Sequence, residues 1–237
     1  MKNLVRVLTL LLSATASLSA YNCTEWSQAY WGIIGGIQAY NGAYTAENMA
    51  TKEKNCAQHG ATSGDIGGVI GLRTFWCEKI FLNAEGELLY NSLQKTIRSS
   101  TDTTGTPNYL VTIKNNIQGG VSGRIGYAFC DEIVGYLVGA IDAGRWQVTL
   151  GNQTATPTAG IAATSSTCYT KTAAAGRFGI GIWWSLTEYC QLRLETSYLF
   201  GPTQCIALPM TSANQQWQHT LKNQALISNM TITVSLW

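Results

Sequence analysis

Eight stretches of the chain alternate apolar and polar positions with period two, at 30–45, 64–77, 79–91, 117–130, 133–150, 169–186, 190–200 and 225–237. That period belongs to β-strands with two unlike faces. From 79 onward, Ile80, Leu82, Ala84, Leu88 and Tyr90 share one parity, and Phe81, Asn83, Glu85, Glu87 and Asn91 the other. From 64, Ile66, Ile70, Leu72, Thr74 and Trp76 oppose Asp65, Gly67, Gly71 and Arg73. From 169, Phe178, Ile180, Ile182 and Trp184 oppose Lys171, Arg177, Gly179 and Gly181. From 190, Leu192, Leu194, Thr196, Tyr198 and Phe200 oppose Gln191, Arg193, Glu195 and Ser197. The stretch from 133 is ambiguous: Val134, Tyr136, Val138 and Ala140 form one apolar row, and Ile133, Leu137 and Ile141 another. A bulge near Asp142-Ala143-Gly144 is expected to change its phase.

The connections alternate in length. Short ones fall at Cys77-Glu78, Cys130-Asp131-Glu132 and Thr187-Glu188-Tyr189; long ones, rich in Thr, Ser, Asn, Gln and Gly, run over 46–63, 92–116, 151–168 and 201–224. An even number of long strands with alternating short and long connections predicts an all-β, eight-stranded antiparallel up-and-down transmembrane β-barrel, with short periplasmic turns and longer external loops. A soluble lipocalin-like barrel is the alternative. It does not account for the loop asymmetry or the strand length, since a tilted membrane strand needs about 9–11 residues and a globular strand usually has about 5–6. The aromatics fall at two levels. Tyr30, Trp31, Phe75, Trp76, Tyr127, Phe129, Trp183, Trp184 and Tyr189 lie near the short turns, and Tyr40, Tyr44, Tyr90, Trp146, Tyr198 and Phe200 near the long loops. Two interfacial girdles are expected from them.

Residues 1–20 read as a cleaved export signal: Lys2 and Arg6, an apolar Val7 to Leu12, then small residues with usable sites at Ala16 and Ala20. Residues 21–237 then form the barrel. Without Lys2 and Arg6 the basic and acidic residues balance at 13 each, so no nucleic-acid-binding surface is indicated. Charged residues make up only 12% of the chain. Those on the polar parity are Asp65, Arg73, Glu85, Glu87, Arg124, Lys171, Arg177, Arg193 and Glu195. Eight strands enclose a space that side chains can fill, so these charges should pair and plug the lumen.

With these features the chain resembles the eight-stranded outer-membrane barrels: the OmpA transmembrane domain, OmpX, and the opacity and NspA surface proteins. The resemblance covers the mature chain and lies in architecture rather than in a motif. It implies a surface barrel of the bacterial outer membrane, contacting outer-membrane lipid and serving envelope integrity, adhesion or host contact. With no room after Trp237 for a peptidoglycan-binding domain, the OmpX and opacity types fit better. Such barrels usually end on an aromatic residue of the lipid face; here Met230, Ile232, Val234 and Leu236 share one parity and Trp237 takes the other. The competing functions are a lipid-modifying enzyme and a small pore. His59 and His219 are expected in long loops, with Glu53 and Ser63 near the first in sequence. The His-x-Ser pattern of lipid A deacylases is absent, as are HExxH and Cys-x-x-Cys, so neither catalysis, a metal nor a cofactor is indicated.

Seven cysteines in an exported chain meet an oxidising compartment. Cys23, Cys77, Cys130 and Cys190 are expected at the periplasmic rim, and Cys56, Cys168 and Cys205 in or beside external loops. A band about 25 Å tall separates the two sets, whereas a disulfide needs Cα atoms within about 7 Å. The rim set could close on itself. Three external cysteines leave one unpaired, which predicts disulfide-linked oligomers or crosslinks to envelope proteins.

Overall fold

The computed structural model describes residues 26–48, 52, 54–76, 79–98, 108–153, 167–207 and 217–236. The signal segment, Cys23, Cys77 and Trp237 lie outside them. Eight strands follow in chain order: β1 (Trp26–Asn48), β2 (Lys54–Trp76), β3 (Ile80–Arg98), β4 (Asn108–Ala128), β5 (Ile133–Gln153), β6 (Thr167–Ser185), β7 (Cys190–Ala207) and β8 (Trp217–Ser235). Each pairs antiparallel with its sequence neighbour, and β8 closes on β1.

The register fixes the shape. Register partners followed once round run from Tyr30 through Gly71, Glu85, Ser122, Ala140, Arg177, Leu199 and Ala225, and return to β1 at Tyr40, ten residues further on. At a rise of about 3.3 Å per residue and a strand spacing of about 4.8 Å, this stagger tilts the strands by roughly 40° and sets a radius of about 8 Å.

Strands of 18 to 23 residues then reach roughly 45–58 Å along the axis, well beyond an apolar band of about 25 Å. The outward faces locate that band. Leu72, Ile70 and Ile66 on β2, Leu88 and Tyr90 on β3, Leu137 and Ile141 on β5, and Ile182, Ile180 and Phe178 on β6 are exposed, while their polar neighbours turn inward. An exposed apolar surface encircling a closed barrel is a lipid surface. The chain is an eight-stranded antiparallel transmembrane β-barrel.

Above the band the barrel changes form. Pairing of β2 with β3 ends at Asp65–Asn91, and pairing of β6 with β7 ends at Gly176–Phe200. Beyond those points β2 pairs only with β1, β3 with β4, β6 with β5 and β7 with β8 among the described residues. The Ser92 hydroxyl closes one ladder end, accepting from the Gly64 N–H and donating to its carbonyl, both at 3.1 Å. At each split one lip carries a register shift, between Tyr90 and Leu93 on β3 and between Phe200 and Thr203 on β7. An extra residue raises local twist and turns a strand away from its neighbour. Two four-stranded sheets result, β7-β8-β1-β2 and β3-β4-β5-β6, facing each other. Their inner faces bury Tyr40, Tyr44, Leu221 and Ile227 from one sheet against Ile97, Ile113, Trp146 and Val148 from the other. The strands therefore run further outward than their alternation indicates, over much of 46–63, 92–116 and 201–224.

The ambiguous strand is resolved. β5 keeps one phase throughout: Val134, Tyr136, Val138, Asp142, Trp146 and Val148 are buried, and Ile133, Leu137 and Ile141 exposed. No bulge falls at Asp142-Ala143-Gly144. The phase change lies on β4, where Asn115 is buried, Asn116 and Ile117 both face out, and Gln118 is buried again. The girdle assignment also needs correction. Tyr30, Trp183, Tyr40, Tyr44 and Trp146 are buried in the lumen, and Phe75 packs against them from the same side. Adjacent aromatics such as Tyr30-Trp31 and Trp183-Trp184 lie at one level but point to opposite faces, because the strand period is two. Trp31, Trp76, Tyr127, Phe129, Trp184 and Tyr189 remain at the level of the short turns, and Tyr90, Tyr198 and Phe200 at the level of the long connections.

Candidate functional site

The lumen is stacked in three layers. At the short-turn end an aromatic floor joins Phe81 to Trp183, Tyr30 to Trp183 and Phe75 to Phe81, with ring centroids at 5.0, 5.5 and 5.4 Å. The apolar inner faces of the two sheets form the roof, including Tyr40 edge-on to Trp146 at 6.0 Å. A charge cluster lies between them.

Three arginines and four carboxylates make one connected chain. Arg193 donates to Glu85 through both terminal nitrogens, at 2.6 and 2.9 Å. Arg124 lies 3.2 Å from the same carboxylate and donates to Glu195 at 2.9 Å. Arg177 donates to Glu195 at 3.2 Å and to Glu87, and its Nε lies 2.9 Å from Asp142. All seven side chains are buried. Burial removes hydration worth several kcal/mol per ion, which only such shared, multiply bonded partners offset. The remaining Arg124 hydrogens go to Asn83 at 3.0 Å and Ser122 at 2.9 Å, and Arg193 adds Thr231 at 3.1 Å.

One arrangement occurs twice. On β1-β2-β3, Tyr30, Gly71 and Glu85 share a rung, and the Tyr30 hydroxyl donates to Glu85 at 2.6 Å. On β5-β6-β7, Tyr136, Gly181 and Glu195 share a rung, and the Tyr136 hydroxyl donates to Glu195 at 3.2 Å. In both, the tyrosine lies across the middle strand. A Cβ at Gly71 would stand 2.5 Å from the Tyr30 hydroxyl oxygen, and one at Gly181 would stand 2.2 Å from that of Tyr136. Glycine is required there by close approach.

Not every polar-parity charge joins the cluster. Arg73 lies below it, donating to Gln28 and, at 2.8 Å, to Ser235, with its guanidinium 5.3 Å from the Trp183 ring centre; no carboxylate among the described residues pairs with it. Asp65 accepts from Gln38 at 2.7 Å rather than from an arginine. Lys171 has lumen parity but sits on β6 above the split, where it is exposed. Asp142 belongs to the cluster, and its even position on β5, in step with Tyr136 and Val138, was the signal for it.

The histidines lie on strands rather than in loops. His59 is buried on β2 with Nε2 3.3 Å from the Asn223 side-chain oxygen, and His219 belongs to β8. No hydrogen bond joins His59 to Ser63 among the described residues, so no base is placed against that hydroxyl. No three His, Cys, Asp or Glu side chains among the described residues are grouped to hold a metal.

Four described cysteines are free thiols: Cys56, Cys130 and Cys168 exposed, Cys190 half-buried. Cys56 and Cys168 lie on β2 and β6 rather than in loops, facing outward on opposite sheets; Cys205 lies on β7. Facing sheets stand about 10 Å apart, beyond the roughly 7 Å that a disulfide spans, so Cys56 and Cys168 cannot bridge each other. At the rim of the short turns β5 and β6 stand between Cys130 and Cys190. On an 8 Å radius that is a chord of roughly 11 Å, so these two do not pair either.

No family model and no curated protein matches the chain. Among solved structures it is similar to the outer membrane protease OmpT from Escherichia coli, at 10% identity over 88% of this chain and 97% of that one, with a TM-score of 0.49. It is similar to Neisserial surface protein A, at 11% identity over 86% and 97%, TM-score 0.36. It is also similar to Ail, the attachment invasion locus protein of Yersinia pestis, at 7% identity over 86% and 99%, TM-score 0.34. These likenesses are of barrel architecture and assign no activity to this chain.

Proposed function

We propose that the protein is a closed, non-enzymatic surface barrel of the bacterial outer membrane, exported on a cleaved signal peptide. Its two protruding sheets serve envelope structure or contact with host or envelope proteins. The observation that carries this reading is the filled lumen: an aromatic floor, a buried chain of seven paired charges and an apolar roof. Such a lumen supports neither a conducting path nor a solvated catalytic group. The exposed, outward thiols Cys56 and Cys168 suit crosslinks to other chains.

Planar-bilayer recording on the folded full chain tests the lumen, with no stable open current expected. Steady single-channel currents would overturn the closed barrel. Lipid A from cells with and without the protein should carry the same acyl chains; a changed pattern would overturn the non-enzymatic reading. For the crosslinks, cells lysed with thiols blocked should show disulfide-linked species that a Cys56→Ser, Cys168→Ser variant loses. Species persisting unchanged would remove that role from these thiols.

A further inference from the structure

The outer wall carries a cationic pair that the lumen does not explain. Ile117 is the last apolar residue of β4 to face lipid, and its partner across the ladder is Arg145 on β5. Lys114 pairs with Gln147, which puts Arg145 at its diagonal neighbour on the same outward face, about 7–8 Å away. Asn116, turned outward by the register shift, lies between them. Their other outward neighbours are Gln94 and Thr172.

Neither cation has an acidic partner among the described residues. No ion pair involves Lys114 or Arg145 among the described residues, and no described acidic side chain faces outward on β3, β4, β5 or β6. At the opposite rim the short turns expose Asp131, Glu132 and Glu188 against Lys79. Two like charges side by side repel unless an anion lies between them. Their level selects the anion: Arg145 is laddered to the last lipid-facing residue, so the pair stands where outer-leaflet headgroups begin.

We propose that Lys114 and Arg145 bind a phosphate of an outer-leaflet lipid headgroup, with Gln94, Asn116, Gln147 and Thr172 offering hydrogen bonds around it. The inference rests on the outer-membrane reading above, and its test separates the two. Folding of the full chain into phosphatidylcholine vesicles, read by heat-modifiable migration on gels, tests membrane insertion alone. On protein so folded and extracted, native mass spectrometry compares bisphosphorylated with dephosphorylated lipid A. Two surface cations predict a preference of roughly thirtyfold for the phosphorylated form. Lys114→Gln with Arg145→Gln should bring the ratio close to one, whereas Lys222→Gln on β8 should leave it intact. The swap Lys114→Arg with Arg145→Lys keeps both charges and should keep the preference, which guards against misfolding of the neutral variant. A wild-type ratio near one, equal loss in Lys222→Gln, or tighter binding of a sulfated oligosaccharide than of lipid A would each overturn the proposal.

Discussion

The same eight strands solve two different problems along their length. Within the membrane they close into a barrel whose outer face is apolar and whose inner face holds the charge cluster. Above it they divide into two facing sheets with a hydrophobic core between them and polar side chains outside. Lipid is the reason for the reversal. In hydrocarbon an open sheet edge leaves backbone groups unsatisfied, so the barrel must stay closed. Once water reaches the wall, edges are solvated and the ladders can part. Both splits begin at the upper limit of the apolar band, at Asp65–Asn91 and Gly176–Phe200.

The largest blow to the membrane half should come from Arg193→Ala. It leaves Glu85 with half its ion pairs in a sealed lumen, and breaking one buried partner costs about 3–5 kcal/mol. Urea unfolding of the barrel in vesicles should show that loss. A next test moves one substitution along one face of one strand. Ile70→Arg puts a charge near the middle of the band and should cost about 2–4 kcal/mol. Thr62→Arg, eight residues outward on β2 with the same facing, should change stability by no more than about 0.5 kcal/mol. Similar costs for the two would place lipid against the protruding sheet and erase the distinction. Tyr136→Phe tests the Tyr–Gly–Glu rung. Losing a hydrogen bond to a carboxylate should cost roughly 1.5–3 kcal/mol, less if Arg124 and Arg177 keep Glu195 satisfied. The small expected effect of Thr62→Arg is the sharpest control of the series.

The contrast also explains which parts were readable from the sequence. Inside the membrane β2, β3, β4, β6 and β7 set Ile, Leu or Phe against Arg, Glu or Gly, so parity assigns Ile66, Leu88 and Phe178 to lipid and Glu85, Arg124 and Arg193 to the lumen. Above the split the contrast fades. On β2 the outward row of Cys56, Gln58, Gly60 and Thr62 faces away from an inward row of Ala57, His59, Ala61 and Ser63, and neither row is strongly apolar. Such a strand resembles a loop in composition, which is why His59 and Cys56 were expected in one. Asp142 was obscured differently: β5 is apolar on both faces, and an acid followed by Ala-Gly suggests a kink. Arg73 has lumen parity, but parity does not give height, and height puts it among Gln28, Ser235 and Trp183 instead of beside a glutamate.

The repeated rung has a consequence for the chain as a whole. Tyr30–Gly71–Glu85 and Tyr136–Gly181–Glu195 lie four strands apart, as do the two splits and the two register shifts beside them. The molecule is thus two half-barrels of one plan, each with its own joint, meeting along β4–β5 and β8–β1. At the second meeting line the Leu236 N–H donates to the Ala29 carbonyl at 2.9 Å, so the start of β1 and the end of β8 are in contact. Joining them and reopening the polypeptide in the turn at Cys130–Glu132 would exchange the order of the halves while every rung kept its neighbours. Geometrically the ring has no first strand; only the site of the break in the backbone gives it one.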